Sequence, residues 1–230
     1  MKFKSQIIAA GSGSVAGCVF SRNRYGPYIR NRSIPTNPNS SFQQTVRANF
    51  SLLATAWNVD LDASERAAWD NYAALVPRVD SLGNAIFTTG LNWYIAVNSL
   101  RLNQAIARLD AAPVIFNMTG LAPVALNTAD VSSQNLSVGF TATDEWNADD
   151  GFLFVFMGRP QNESHTFFKG PFRFAALLAG DTAIPLTSPQ LIAPIPFVIG
   201  LDQRVYMRVI ATSPDGRIST PQIDSVIATA

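Results

Sequence analysis

Apolar residues recur with a helical period in the first half of the chain and with a strand period in the second. Phe42, Val46, Phe50, Leu53 and Trp57 stand four, four, three and four apart. That spacing gathers them into one stripe on a helix predicted from about Ser41 to Trp57. Ser40 with Gln43, or Ser41 with Gln44, supplies its cap. A second helix is predicted to open at Asp62, whose carboxylate accepts from the backbone while Glu65 reaches back. It buries Trp69, Tyr72 and Val76 and stops at Pro77. Beyond a loop holding Asp80, Gly83 and Asn84, Thr89 is placed to cap a third helix carrying Trp93, Val97 and Leu100. Three amphipathic helices with aromatic stripes predict a small bundle.

From Ala111 the period shortens to two. Leu136, Val138 and Phe140 alternate with polar or small residues. Val205, Met207 and Val209 interleave with Tyr206, Arg208 and Ile210. The run Phe152 to Met157 is apolar on both faces, as a central strand requires. Turn signals at Asp149-Asp150-Gly151 and Ser213-Pro214-Asp215-Gly216 separate these runs, which predicts an antiparallel sandwich. Ahead of the helices, Gly17 to Arg22 and Pro27 to Ile34 flank the turn residues Asn23 to Gly26, the pattern of a β-hairpin. Alternation sets Tyr28, Arg30 and Arg32 on one face, while Gly11-Ser12-Gly13-Ser14 reads as a flexible linker. The expected fold class is α+β and multidomain: a β-hairpin arm over 1–38, a three-helix module over 39–110 and an all-β sandwich over 111–230.

Net charge is only +1, but its distribution is uneven. Lys2, Lys4, Arg22, Arg24, Arg30, Arg32 and Arg47 precede the first acidic residue, Asp60, so the remaining 10 basic side chains share the rest of the chain with all 16 acidic ones. A cationic arm is therefore joined to an anionic body. The single cysteine, Cys18, excludes an internal disulfide framework. Lys2 and Lys4 followed by Val15-Ala16-Gly17-Cys18 imitate a lipoprotein signal, but Gln6, Gly11, Ser12, Gly13 and Ser14 interrupt the apolar stretch, so no lipidation or export is expected. No run approaches the roughly 20 apolar residues of a membrane helix, and no membrane partner is expected.

Candidate chemistry is sparse. His165, the only histidine, sits among Asn162, Glu163 and Ser164 in a loop, and one loop residue does not make a triad. Asp144, Glu145, Asp149 and Asp150 are hard-cation ligands by type, yet they lack the alternating spacing of a calcium loop and have Trp146 in their midst. They read as a solvated loop, and neither metal nor cofactor is expected. The basic arm carries the strongest signal. Arg22, Arg24, Tyr28, Arg30 and Arg32 are the candidate assembly contact, with an acidic protein neighbour, such as another copy, as its partner. Arginines beside Tyr25 and Tyr28 also suit a phosphate backbone with stacked bases, which makes nucleic acid the less favoured partner. Exposed aromatics of the sandwich, Trp146 or Phe167 and Phe168, offer a carbohydrate-binding alternative.

Two stretches carry a resemblance. Arg32-Ser33-Ile34-Pro35-Thr36-Asn37-Pro38-Asn39, continued by Gln43, Gln44, Arg47 and Phe50 to Ser64-Glu65-Arg66-Ala67-Ala68-Trp69, resembles small proteins encoded by bacteriophages and prophages. Arg204 to Ala211, followed by Asp215-Gly216-Arg217-Ile218-Ser219, looks like the last two strands of a fibronectin type III domain, one of the immunoglobulin-like sandwiches. The resemblance implies a non-enzymatic virion component, in head, neck, tail or decoration layer, assembled in the host cytoplasm with copies of itself and other virion proteins. Function here is implied by context and not by a site.

Overall fold

The residues read as a two-stranded hairpin and its linker pair into three strands: β1 (Gly13–Val15), β2 (Cys18–Asn23) and β3 (Gly26–Asn31), in antiparallel order β1-β2-β3. Gly13 and Ser14 are thus strand and not linker, because a turn at Ala16-Gly17 lets Val15 pair with Cys18 and Gly13 with Phe20. The computed structural model describes residues 13–23, 26–34, 36–79 and 84–230, so Gly11, Ser12, Asp80 and Gly83 lie outside the described residues. The chain divides into two compact units, Met1–Gln43 and Gln44–Ala230. Across position 110, where the apolar period changes, it stays within the second.

Helix α1 (Ser41–Val59) begins at the predicted place. Gln43 N–H reaches Ser40 Oγ at 3.4 Å, and Gln43 Oε1 accepts from Ser40 N–H at 3.3 Å. Helix α2 (Ala63–Leu75) carries the full capping box, with Asp62 Oδ1 accepting from Glu65 N–H at 2.8 Å and Glu65 Oε2 accepting from Asp62 N–H at 2.9 Å. The Glu65 N–H holds the Asp62 carboxyl below its ordinary pKa, helped by the Ser64 hydroxyl. Helix α3 (Gly90–Leu102) starts on the Thr89 side chain. Between α2 and α3 lies a two-strand ladder, β4 (Arg78–Val79) and β5 (Ala85–Ile86).

The three helices do not form a self-contained bundle. Helices α2 and α3 pack together through Trp69, Tyr72, Trp93, Tyr94 and Val97, all fully buried. Helix α1 adds only Leu53, Ala56 and Trp57 near its C-terminal end. Ile210 and Ile218 from the β-rich part complete this core.

That part is sandwich-like and antiparallel. One sheet has the order β11-β7-β6, from β6 (Ala125–Asp130), β7 (Asn135–Gly139) and β11 (Gln190–Ile192). The other has the order β10-β8-β12-β13, from β8 (Phe152–Gly158), β10 (Phe172–Ala179), β12 (Gln203–Thr212) and β13 (Gln222–Ile227), with the short β9 (Gln161–Asn162) also on β12. Leu136, Val138, Leu153, Val155, Met157, Val205, Met207 and Val209 meet in a shared core. The run Phe152 to Met157 is the central strand its composition predicts, paired with β10 and β12. Its outward residue Phe156, with Ile210 of β12, packs against the helical core, so this sheet is covered on both faces. The Asp215 to Ser219 segment, by contrast, is not the last strand. It is a turn bridged to Thr212, and the last strand begins at Gln222.

Backbone donors at the edge of β6 are satisfied by β13. Leu126 N–H donates to Asp224 Oδ2 at 2.8 Å and Val124 N–H to Gln222 Oε1 at 2.9 Å, which closes one side of the sandwich. At the turn before β8, a Cβ on Gly151 would lie 2.2 Å from the Trp146 carbonyl oxygen, so only glycine fits there.

Candidate assembly surfaces

The pleat of the arm sorts its candidate contact residues. In the β2–β3 register Tyr28 stands opposite Ser21, Arg30 opposite Val19, and Arg22 opposite Pro27. Side chains alternate along a strand, so Tyr28 and Arg30 share one face while Arg22 points from the other. Arg32 lies one residue beyond β3, and its N–H donates to Gly17 O at 2.8 Å. Arg22, Arg30 and Arg32 are exposed and Tyr28 is half-buried. Arg24, Tyr25, Lys2 and Lys4 lie outside the described residues. Among the described residues no strand pairs with the outer edge of β1 or of β3. Cys18 is half-buried and free.

The apolar stripe of α1 is split. Leu53 is buried and Trp57 rests on Tyr94, with ring centroids 5.6 Å apart. Phe50 is 55 % exposed, and Phe42 and Val46 are exposed as well. Asn49, between them, donates to Asn103 Oδ1 at 2.9 Å. The helix holds no acidic residue and one basic one, Arg47.

Candidate chemistry elsewhere is spent on structure. His165 is exposed, and its backbone ties the loop down: N–H donates to Asn162 O at 2.9 Å and the carbonyl accepts from Tyr206 Oη. Three of the four acidic groups of the 144–150 loop face different partners. Asp144 accepts from Ala122 N–H at 3.1 Å, Asp149 from Thr182 N–H at 2.8 Å, and Glu145 pairs with Arg217 at 2.8 Å. Among the described residues no three carboxylate, thiol or imidazole groups converge on a metal position. Trp146 is fully buried edge-on to Phe140, so the glycan-stacking role considered for it is excluded. Phe168 stacks on Tyr206 at 5.3 Å, leaving Phe167 as the exposed member of that pair.

The most connected polar group is one that periodicity does not reveal. Arg217, 6 % exposed, donates from Nε to Asp215 at 2.7 Å, from one terminal nitrogen to Asn117 Oδ1 at 2.7 Å and from the other to Glu145 at 2.8 Å. Asn117 O accepts from Tyr72 Oη at 2.9 Å, so this fork links the α2 core to the turn after β12. Burial, with Asp215 nearby, pushes the Tyr72 hydroxyl up to about 12. Tyr94 moves in the same direction for the same reason, with Asp110 in place of Asp215. Burial lowers Arg101, which donates to Ala107 O at 2.7 Å and lies over Phe152. It lowers Arg208 too, held over Phe156 at 5.4 Å and Phe172 at 5.8 Å. The short spacing of Asp215 and Arg217 about a glycine was the available signal for the Arg217 fork.

No protein-family model matches this chain, and no curated protein is significantly similar to it. Among the described residues no helix is long and apolar enough to cross a membrane.

Proposed function

We propose that this chain is a non-enzymatic assembly protein that associates with copies of itself through its N-terminal arm, serving as a structural component of a bacteriophage particle. The carrying observation is the arm: a small cationic sheet in its own compact unit, with no strand paired to the outer edge of β1 or β3 among the described residues. A sheet this small is stable alone only with an apolar face packed against something, and the edges of such a sheet can be satisfied by a strand from another chain. Attraction between the basic arm and the acidic remainder of another copy supplies the orientation.

The body fits a fibronectin type III-like module. Setting aside the short β9, its first, second and fifth strands make one sheet and its third, fourth, sixth and seventh the other, the split of that immunoglobulin-like class. Such a module presents loops and faces rather than chemistry. The non-enzymatic reading also draws on the use of shifted ionisable groups: Tyr72 and Arg101 donate to backbone carbonyls and Tyr94 to the Asp110 carboxylate. Nucleic acid is the second reading. The placement of Arg22 and Arg30 on different faces of the arm speaks against one continuous phosphate track.

Deleting residues 1–35 tests the proposal. The truncated chain is expected to remain folded and monomeric, whereas the full chain associates and loses that association as salt rises. Steep, salt-dependent binding to DNA or RNA without self-association would instead establish the second reading.

A further inference from the structure

One groove carries an unused cation. Arg78, Trp93, Leu100, Met118, Ile210 and Ile218 line a cleft of about 580 Å³ between the helices and the end of β12. The Arg78 guanidinium lies 4.5 Å above the centre of the Trp93 ring. Among the described residues it makes no ion pair, and the buried Trp93 Nε1–H has no acceptor. A desolvated guanidinium over an indole, in an apolar cleft, is complementary to a carboxylate carried beside an apolar side chain.

The chain itself holds such a pair. Four exposed apolar residues are followed directly by a carboxylate: Val59-Asp60, Val79-Asp80, Leu201-Asp202 and Ile223-Asp224, of which Asp80 lies outside the described residues. Asp60 is bound to Arg108 at 2.7 Å, and Asp224 accepts from Leu126 N–H. Of these, only Asp202 is a described residue whose carboxylate has no partner among the described residues. It sits in a tight turn at φ 58° beside Leu201, with Val198, also exposed, three residues before Leu201. This turn precedes the first residue of β12, and the groove takes Ile210 near its last. Seven residues of strand separate them by about 23 Å at 3.3 Å per residue. The turn of one chain therefore cannot reach its own groove.

We infer that the Leu201–Asp202 turn of one copy docks in the Arg78–Trp93 groove of the next. The carboxylate pairs with the guanidinium, and Leu201 covers the apolar floor. Two different surfaces meet, so the contact is head-to-tail and propagates into a ring or a filament. It is separate from the arm and adds to it by multivalency, since one turn in one groove is a small interface.

Single-cysteine mixing tests this contact in the full-length chain. In a Cys18→Ser background, Thr220→Cys marks the exposed groove rim and Val198→Cys, beside the turn, marks the turn without removing Leu201. Under mild oxidation the mixture is expected to give the heterodimer in excess of either homodimer, because a docked turn and groove bring two cysteines together only when one copy carries the turn cysteine and the other the groove cysteine. Arg78→Glu in the groove-bearing copy lowers its yield by about tenfold. Asp202→Asn in the turn-bearing copy does the same without touching the helical core, and asparagine tolerates the left-handed backbone there. Homodimers as abundant as the heterodimer, or a heterodimer insensitive to both substitutions, would overturn the inference. Arm-driven association, read from deletion of residues 1–35, stands or falls separately.

Discussion

Helices α1 and α2 read alike in sequence, each with an aromatic stripe at helical spacing, and the protein uses them differently. In α2, Trp69 and Tyr72 are fully buried, with Trp69 Nε1–H donating to Asp110 O at 2.8 Å and Tyr72 Oη to Asn117 O. In α1 the stripe is buried only from Leu53 onward, and Phe50 is left largely in solvent. A stripe therefore states that a helix has an apolar face, not that its own chain covers that face. The polar ends of the side chains mark the difference. Trp69 and Tyr72 find backbone acceptors far along the chain, whereas phenylalanine and valine carry no such tie.

Substitutions can break that comparison, and the largest effect is expected in α2. Trp69→Ala removes a fully buried ring with its hydrogen bond and is expected to lower stability by about 3 to 5 kcal/mol, measured by denaturant unfolding. Next comes Arg217→Ala, which strips Asp215, Glu145 and Asn117 of a shared buried partner. A loss of about 3 kcal/mol is expected by the same measurement. Tyr72→Phe is smaller, at about 1 kcal/mol for one hydrogen bond.

The Tyr72 pair also has a pH signature. The Tyr72 hydroxyl is raised from its ordinary 10.0 to about 12, so its stabilisation is complete below pH 10 and is lost as pH rises towards 12. An alkaline melting series is expected to fall in that window, and less steeply for Tyr72→Phe. Smallest of all is Phe50→Ala, expected to change stability by no more than about 0.5 kcal/mol because the ring is exposed. A loss near that of Trp69→Ala would show that the stripe of α1 is covered after all.

Much of the fold was legible in sequence for local reasons. Caps at Asp62 and Thr89, the stop before Pro77 and the two-residue period of Val205, Met207 and Val209 depend on neighbours a few residues away. What was not legible depends on distant partners. The first strand of the arm, β1, looked like a glycine-serine linker because its pairing, not its composition, makes it a strand. Trp146 sat among acidic residues and looked exposed, yet Phe140 encloses it from another strand end. Arg217 joined the site only when loops around 117, 145 and 215 came together. Of the arm residues, alternation placed Tyr28 and Arg30 on one face. Arg32 falls beyond the last paired residue of β3, and Arg22 belongs to the opposite face.

The central claim is self-association through a cationic arm, and light scattering of the full-length chain across concentration and salt tests it most directly. The account predicts a mass above the 24.9 kDa monomer at low salt, rising with concentration and returning towards the monomer as salt is added. A chain that stays monomeric at high concentration and low salt, with the β2–β3 amides protected from hydrogen exchange, would contradict it.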